Sequence, residues 1–431
     1  MRMAKETNIQ LRDQVIYCIY IRSHTEEGTF NSISADLGRI KAMGVDTIWF
    51  LPVHPIGEKG KKGSLGCPYA NKDYREVNPV YGEFKDFKHL IDAIHEYGMK
   101  CMMDVVYNHT APDSVLATEH PEWFYHKPDG SMGNRVGDWS DVVDLDYSNR
   151  ELWEYQKESL AQWSCLVDGF RCDVAPLVPL EFWKEAREEV AKLNPDCMWL
   201  AETVHRDWAL QCRREGISCF SDIDSFSVFD MAYEYDTRDS FDDYLKGDGQ
   251  LSHYVDLLNF QEAIYPENYI KLRFLENHDT PRICSYLENV QQLRNYTAML
   301  YFLKGATLVY GGQEFGNEYR PSLFEREVIA RNTGVDVSDL MARMARIKKQ
   351  ELSAADHFWG RADDRHHVAI LNRSNGKTRK VGVFSLKGKM AAVEVDFPDG
   401  TYTNLIDDEW ITVRNGKLLC KGKPIILSTP V

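Results

Sequence analysis

Residues 98–109 read Gly-Met-Lys-Cys-Met-Met-Asp-Val-Val-Tyr-Asn-His, and this stretch decides how the fold is interpreted. Cys101–Tyr107 is a short apolar run of the kind that forms a buried strand. The segment before it, Phe84–Tyr97, carries apolar side chains at helical spacing and is followed by Gly98, a residue common just after a helix. The stretch therefore predicts an amphipathic helix, a tight turn and a buried strand in immediate succession.

The same alternation extends from residue 15 to about residue 355. Eight apolar runs are predicted as strands: Val15–Ile21, Thr47–Val53, Cys101–Tyr107, Gly169–Val174, Met198–Thr203, Ser225–Phe229, Ile270–Leu275 and Thr307–Tyr310. Helices are predicted at Ser34–Met43, Phe84–Tyr97, Glu151–Trp163, Leu180–Leu193 and Leu293–Leu303. Eight strands that alternate with helices predict an α/β fold in which a parallel sheet closes into a TIM (β/α)8 barrel. An open doubly wound sheet is the alternative, but the count of eight and the lack of a Gly-x-Gly-x-x-Gly turn favour the barrel.

Two segments interrupt the alternation and predict further domains. An insert after the third strand, residues 110–147, is rich in Pro, Asp, His and Trp, and functional excursions of this fold lie on such loops. The barrel then comprises residues 1–109 and 148–355. Residues 356–431 contain short runs separated by Asn-Gly, Lys-Gly and Asp-Gly turns, which predict a C-terminal antiparallel β-sandwich that supports the barrel or contacts glycan. Its predicted strands are His366–Leu371, Lys380–Ser385, Met390–Val395, Ile411–Arg414 and Pro424–Leu427.

The composition is that of a globular enzyme, with 43% hydrophobic and 27% charged residues. With 51 basic and 66 acidic residues the net charge is −15, which argues against nucleic acid or an anionic membrane as a partner. No apolar run is long enough to span a bilayer, and the first residues lack the apolar segment of a secretory signal. The 10 cysteines form no Cys-x-x-Cys pair, so neither a zinc site nor a redox motif is predicted. We therefore expect a cytoplasmic protein, and the sequence leaves its oligomeric state open.

Polar side chains follow four of the predicted strands, where the catalytic groups of a parallel barrel lie. Asp173 follows the fourth strand, Glu202 the fifth and Asp279 the seventh. Arg171 lies two residues before Asp173, so the two side chains share one face of the strand, where the guanidinium favours an ionised carboxylate. Three carboxylates on one rim suit chemistry at a glycosidic carbon, with one as nucleophile and a protonated one as acid. The apolar flanks of Glu202 predict a raised pKa, which suits the acid.

Each of these residues also has a structural interpretation. An Asp at a strand end is often a helix N-cap, and Asp104 is interpreted as a residue that holds a loop. His109 and His278 offer donors to sugar hydroxyls, but a single His next to an acid is also compatible with a satisfied core histidine. The functional interpretation is favoured because all of these groups are predicted to converge on one rim.

Taken together, the motifs resemble those of the α-amylase family of glycoside hydrolases, retaining barrel enzymes that act on α-glucans. The resemblance extends from about Val15 to about Gly316, and the C-terminal β domain is also in the family's usual place. It rests on Asp104-Val-Val-Tyr-Asn-His109, Gly169-Phe-Arg-Cys-Asp-Val174, Glu202 in its strand, Glu276-Asn-His-Asp279 and the eighth-strand segment 305–316.

The resemblance implies a role for each matching residue. Asp173 would be the nucleophile, Glu202 the general acid and base, and Asp279 the carboxylate that holds the distorted sugar and stabilises the transition state. The residues expected to bind the reacting glucose are Arg171, His109, His278 and Tyr69. The Tyr69 ring would stack under that sugar, although a structural tyrosine in a tight loop is equally compatible with the sequence. The insert would be the family's B domain, here short.

The implied function is hydrolysis of α-1,4-glucosidic bonds, with retention, in maltooligosaccharides or related α-glucans such as stored glycogen, through a covalent glycosyl-enzyme intermediate. A 4-α-glucanotransferase or a glucosyl isomerase with the same triad is the alternative, and the sequence does not separate them. A non-catalytic relative is disfavoured because Asp173, Glu202 and Asp279 are all present. The sequence also leaves open the preferred chain length, the tolerance of branches and the choice between endo and exo action.

No cofactor is expected to be required, but calcium is considered. Asn108 matches a calcium ligand of the family, and the insert offers Asp138, Asp141, Asp144 and Asp146 as oxygen donors. Many members have Lys-His shortly after the nucleophile, and this chain has Pro-Leu there, so part of the family's site is missing. Acidic residues on a solvated loop are the favoured interpretation.

Two further features border the predicted rim. The Lys59-Gly60-Lys61-Lys62 run is interpreted as a solvated loop at the cleft end of the barrel. Trp139, Tyr107 and Trp208 lie near the ends of the motifs, where aromatic rings either stack on sugar faces or fill the core.

Overall fold

The barrel predicted from the sequence is confirmed by the computed structural model, which describes residues 6–136 and 139–431. Eight parallel strands close on themselves, because the first pairs with the eighth, Val15 opposite Thr307, as well as with the second. In chain order the barrel strands are Val15–Ile19, Thr47–Phe50, Lys100–Val105, Gly169–Cys172, Met198–Ala201, Met231–Tyr233, Lys271–Arg273 and Ala306–Tyr310.

Amphipathic helices surround this barrel. The helix Phe84–Glu96 shows the pattern, since Phe87, Leu90, Ile91 and Ile94 are buried against the strands at helical spacing. The longer helices of the barrel are Phe84–Glu96, Arg150–Ser164, Leu180–Ala191, Arg206–Arg214, Tyr235–Lys246, Leu251–Ile264, Val290–Phe302 and Ser338–Gln350. Shorter helices are Ile21–His24, Phe30–Ser34, Leu37–Ala42, Val115–Glu119 and Asp222–Ser225. Among the described residues, no helix is both long enough and apolar enough to cross a lipid bilayer.

The sixth barrel strand is Met231–Tyr233, so the prediction of a strand at Ser225–Phe229 was wrong. A capping box causes the difference: the Asp224 N–H donates to Ser221 Oγ and the Ser221 N–H donates to Asp224 Oδ2, which starts a short helix that ends at Ser225. The apolar side chains after it pack into the core from a turn, and the strand begins only beyond them.

The segment between the third strand and its helix is a small insert at the C-terminal end of the barrel. It contains a two-stranded antiparallel ribbon in which His109–Thr110 pairs with Val143–Asp144. His109 lies directly opposite Asp144 in this ribbon. The pairing returns the end of the insert to the rim of the barrel, next to the end of the third strand.

The predicted C-terminal β-sandwich is confirmed. One sheet contains His357–Asp363, Val368–Ser374, Thr378–Ser385 and Ile425–Pro430, and the other contains Met390–Glu394, Gly400–Thr403, Trp410–Arg414 and Lys417–Lys421. The two sheets share one apolar core, in which Ile370 and Val383 of the first meet Val393 and Leu418 of the second. Three of these strands, His357–Asp363, Gly400–Thr403 and Lys417–Lys421, were not predicted from the sequence.

Candidate active site

A single buried guanidinium organises the polar end of the barrel. Arg171, on the fourth strand, is fully buried, and its Nη1 donates hydrogen bonds to Asp104 at 2.8 and 3.1 Å and to Asp173 Oδ1 at 2.8 Å. Its Nη2 lies 2.7 Å from Glu202 Oε1, an ion-pair contact without hydrogen-bond geometry. Burial would lower the pKa of Arg171, but Asp104 and Glu202 raise it well above its usual value. The cation is therefore held by three carboxylates from three adjacent strands.

Aromatic rings complete the surroundings of this cation. The guanidinium carbon of Arg171 lies 5.2 Å from the ring centre of Trp49, 5.6 Å from that of Tyr69 and 5.4 Å from that of Tyr233. Trp49 and Tyr233 are buried in the interior of the barrel. These rings limit the movement of the guanidinium, and its position in turn fixes the carboxylates.

The backbone after Asp173 ties the fourth and fifth strands together. Val174 adopts φ 34° and ψ 46°, a left-handed conformation that a β-branched residue rarely takes. In this conformation the Val174 N–H donates to Glu202 Oε2 at 2.8 Å, and the Ala175 N–H donates to the Glu202 carbonyl at 3.1 Å. The left-handed elbow therefore holds the Glu202 carboxyl against the backbone that follows Asp173. This elbow could not be predicted from the sequence, because a valine gives no signal for a positive φ.

The environment of Glu202 favours its protonated form. Burial raises the pKa of Glu202 well above its usual value, and the charges of Asp173 and Asp279 add to this effect against the opposing charge of Arg171. The pKa shift predicted from the apolar flanks of Glu202 is thus present in the structure, with burial as its main cause.

Asp279 follows the seventh strand and contacts a second set of polar side chains on the rim. Enclosure in the cleft would raise the pKa of Asp279, but the adjacent His278, whose Nε2 is 3.0 Å from Asp279 Oδ2, lowers it to about 2 together with Arg171. The Tyr69 hydroxyl donates to Asp104 Oδ2 at 2.9 Å and lies 2.8 Å from His278 Nε2. The Tyr69 and His278 rings are nearly parallel, 5.3 Å apart. A continuous chain of contacts therefore connects Asp279 with Asp104.

These side chains open onto one cavity of about 400 Å³. Its lining includes six of the seven residues predicted from the sequence: Tyr69, His109, Asp173, Glu202, His278 and Asp279. The seventh, Arg171, is fully buried beneath the cavity, and its contacts are with the carboxylates. The predicted convergence on one rim is therefore what the structure shows.

Other lining residues of the cavity were either left open between sugar stacking and core packing or not predicted from the sequence. Trp139 of the insert and Trp208 of the helix Arg206–Arg214 both line the cavity, with ring centres 5.7 Å apart at nearly right angles. Tyr107, by contrast, lies in the core, parallel to Trp183 at 6.0 Å. The remaining lining residues that were not predicted to form the site are Lys62, Cys67, Asp141, Val142, Val174, Thr203, Val204, His205, Tyr235, Leu323 and Phe324.

Most of the oxygen donors considered for calcium have other partners, but Asp144 Oδ1 is buried without a hydrogen-bond partner. The Asn108 amide lies 3.2 Å from the imidazole of the next residue, Asp141 pairs with a lysine, and Asp144 and Asp146 each accept a backbone N–H. Asp138 lies outside the described residues. Within residues 6–136 and 139–431, no group of three or more His, Cys, Asp or Glu side chains could hold a metal ion. No step of a mechanism is routed through a metal ion.

Comparisons with known proteins identify the family. Residues 13–129 and 121–363 match the α-amylase catalytic domain, and residues 360–427 match the bacterial α-amylase C-terminal domain. The chain is 29% identical to the α-amylase MalA of Haloarcula japonica, over 72% of this chain and 45% of that protein. It is 33% identical to a Pseudomonas aeruginosa α-1,4-glucan:maltose-1-phosphate maltosyltransferase, over 42% and 31% respectively. The chain thus spans less than half the length of the curated relatives it matches.

Solved structures are similar over nearly the whole chain. An α-amylase from Lactobacillus plantarum is 44% identical, with a TM-score of 0.94 over 98% of this chain and 100% of that one. A maltogenic α-amylase, AmyB, from Thermotoga neapolitana is 32% identical, with a TM-score of 0.87 over 98% and 100%.

Replacing Arg171 with Met should destabilise the fold severely, because it leaves three carboxylates facing one another without a cation. We expect a loss of about 3–5 kcal/mol in the free energy of unfolding at pH 7, measured by urea denaturation. Arg343→Met, which removes a surface ion pair with Asp408 and a hydrogen bond to the Leu405 carbonyl, is the control and should cost only about 1–2 kcal/mol. Equal losses in the two variants would contradict the role assigned to Arg171.

Proposed function

The chain belongs to the α-amylase family, and we propose that it is a retaining glycoside hydrolase that cleaves α-1,4-glucosidic bonds in maltooligosaccharides or related α-glucans. The observation that carries this proposal is the pair of carboxylates on Arg171. Asp173 accepts a hydrogen bond from its Nη1, while Glu202, near Nη2, has a pKa raised by burial. A charged nucleophile beside a protonated acid is the arrangement that retaining glycosidases use, with a separation of about 5–5.5 Å.

In the first step, a carboxylate oxygen of Asp173 bonds to the anomeric carbon as the bond to the leaving oxygen breaks. Glu202 gives its proton to that oxygen, so the shortened glucan departs as a neutral alcohol. In the second step, the ionised Glu202 takes a proton from water, whose oxygen displaces Asp173 from the anomeric carbon. The product forms with its original configuration, and both carboxyl groups return to their starting states.

The other residues bind the reacting sugar and stabilise positive charge that develops on it. Asp279, with a pKa of about 2, stays ionised and stabilises the oxocarbenium-like transition state. The rings of Tyr69 and His278 supply a surface for the sugar, and His109 lies on the same cavity next to Trp139. We propose that these groups act without a cofactor, in the cytoplasm, on a neutral glucan and not on nucleic acid or a membrane.

A 4-α-glucanotransferase is the second candidate, and one feature of the cavity supports it. The cavity lining near Glu202 includes the apolar side chains Val174, Val204 and Trp208, beside the polar Thr203, His205 and Tyr235. Apolar walls and aromatic rings retain a sugar and exclude water, which favours a sugar hydroxyl over water in the second step.

Incubation with pure maltoheptaose, in the presence of EDTA, separates these candidates. A hydrolase should give only shorter products, with one new reducing end for each bond broken, and chromatography with a reducing-end assay measures both. A transferase gives longer as well as shorter products at a constant number of reducing ends. If the wild-type protein formed no product, the proposed α-glucan substrate class would be contradicted. If EDTA abolished the activity, the proposal that no metal is needed would be contradicted.

The pH profile of kcat/KM should report the protonation of Glu202. Activity requires the protonated acid, so it is lost as the pH rises through the raised pKa of Glu202. Asp279→Asn removes a negative charge that raises this pKa, so the alkaline limb of the residual activity should move to lower pH. Asp396→Asn, which changes an exposed acid of the C-terminal domain, is the control and should leave the limb in place. An alkaline limb that stays fixed or moves upward in Asp279→Asn would contradict the assignment.

A further inference from the structure

Three loops form a wall on one side of the cavity. The loop of residues 58–66 follows the second barrel strand, residues 140–142 precede the last strand of the insert, and residues 323–325 follow the eighth barrel strand. The loops touch at two glycines. A Cβ on Gly60 would lie 3.4 Å from the Ser140 carbonyl, and one on Gly63, whose φ is +65°, would lie 2.6 Å from side-chain atoms of residues 324 and 325. Glycine at position 63 is therefore required for the close approach of the first and third loops.

Hydrogen bonds make this wall rigid. The Leu65 N–H donates to the Phe324 carbonyl at 3.0 Å, which joins the backbones of two loops. Beneath them, the buried Arg22 donates to the carbonyls of Leu65, Gly66 and Leu323 at 3.1–3.2 Å. One guanidinium thus connects the loop after the second strand with the loop after the eighth.

An ion pair joins two of the three loops of the wall, the loop of residues 58–66 and the segment 140–142 of the insert. Lys62 Nζ lies 3.0 Å from Asp141 Oδ1, and both side chains line the cavity. The Asp141 side chain is 6% exposed and that of Lys62 is 35% exposed. The interpretation of the lysine run as a solvated loop is therefore incomplete: Lys61 pairs with Glu58 at 2.6 Å away from this cavity, but Lys62 points into it.

The chemistry of the site shows which end of a glucan this wall faces. Glu202 protonates the leaving oxygen, so the leaving sugar lies on the side of Glu202, next to Val204 and Trp208. The sugar that is attacked lies on the other side, over Tyr69. The wall extends from that side, because Cys67 and Leu323 both line the cavity and pack against the apolar cluster that contains Tyr69. It therefore faces the non-reducing end of the bound chain.

We infer that the Lys62–Asp141 ion pair, backed by Leu323 and Phe324, closes the cavity at the non-reducing end and makes the enzyme exo-acting. This inference rests on the proposed function. A terminal glucose presents a free 4-hydroxyl, to which the ammonium can donate and from which the carboxylate can accept hydrogen bonds. In an internal glucose that oxygen carries the next sugar, which the wall would obstruct. The enzyme then releases short products of fixed length from chain ends and leaves internal bonds intact.

Two maltoheptaosides distinguish exo from endo action. One has a free non-reducing end, and the other has its terminal 4- and 6-hydroxyls joined in an ethylidene acetal. We expect the wild-type protein to cleave the blocked substrate about 100-fold more slowly than the free one, because the acetal meets the wall. In Lys62→Ala and Asp141→Asn, the ratio of blocked to free cleavage should rise about tenfold or more, since the wall loses its closing contact. Chromatography of the products measures both rates and locates the bonds cleaved.

Lys61→Ala is the matched control, because it removes a neighbouring lysine of the same loop and should leave the ratio unchanged. Thermal unfolding of each variant shows whether the fold is retained. Cleavage of both substrates at similar rates by the wild-type protein would overturn the inference and leave the proposed hydrolase standing. An unchanged ratio in both Lys62→Ala and Asp141→Asn would overturn the role of the ion pair. A wild-type protein that cleaves neither substrate would overturn the proposed function and this inference with it.

Discussion

Arg171 carries a positive charge in the interior of the barrel, and the arrangement of the site depends on how that charge is balanced. Its guanidinium contacts Asp104, Asp173 and Glu202, which lie on or follow the third, fourth and fifth strands. An unpaired charge there would cost several kcal/mol, so each partner is needed to keep the others in place. The left-handed elbow at Val174 adds a backbone connection between the same two strands that supply Asp173 and Glu202. One buried ion-pair group thereby fixes the positions of the carboxyl groups on the rim.

Much of this site could be predicted because strand periodicity places neighbouring side chains on known faces. The two-residue spacing of Arg171 and Asp173 predicts that their side chains share one face of the strand. The polar residues at the ends of the strands predict that the site lies on that rim of the barrel. Local hydrogen bonds decided the places where prediction failed. The capping box at Ser221 converted the start of a predicted strand into a helix, and apolar alternation does not reveal that competition. The positive φ of Val174 was equally hidden, because tertiary contacts impose it against the preference of the residue.

The wall of the cavity shows a second limit of sequence reasoning. Lys62 and Asp141 lie on separate loops, so no spacing along the chain predicts that they meet. A run of lysines is compatible with a solvated surface, and only the fold shows that Lys62 enters the cavity while Lys61 pairs with Glu58 elsewhere. The residues proposed to be catalytic follow from the barrel, whereas substrate preference depends on loops whose contacts arise only after folding. This is why the choice between endo and exo action, open in the sequence, is addressed by the structure.

The most direct test of the account is to trap the covalent intermediate in the Glu202→Gln variant with α-glucosyl or α-maltosyl fluoride. Fluoride leaves without a proton, so the first step proceeds, but the second step lacks its base and the intermediate accumulates. Mass spectrometry of the digested protein should then find a glycosyl group on Asp173. Fluoride release with the glycosyl group on another residue, or with none on Asp173, would contradict the proposal that Arg171 holds Asp173 as the nucleophile and Glu202 as the acid.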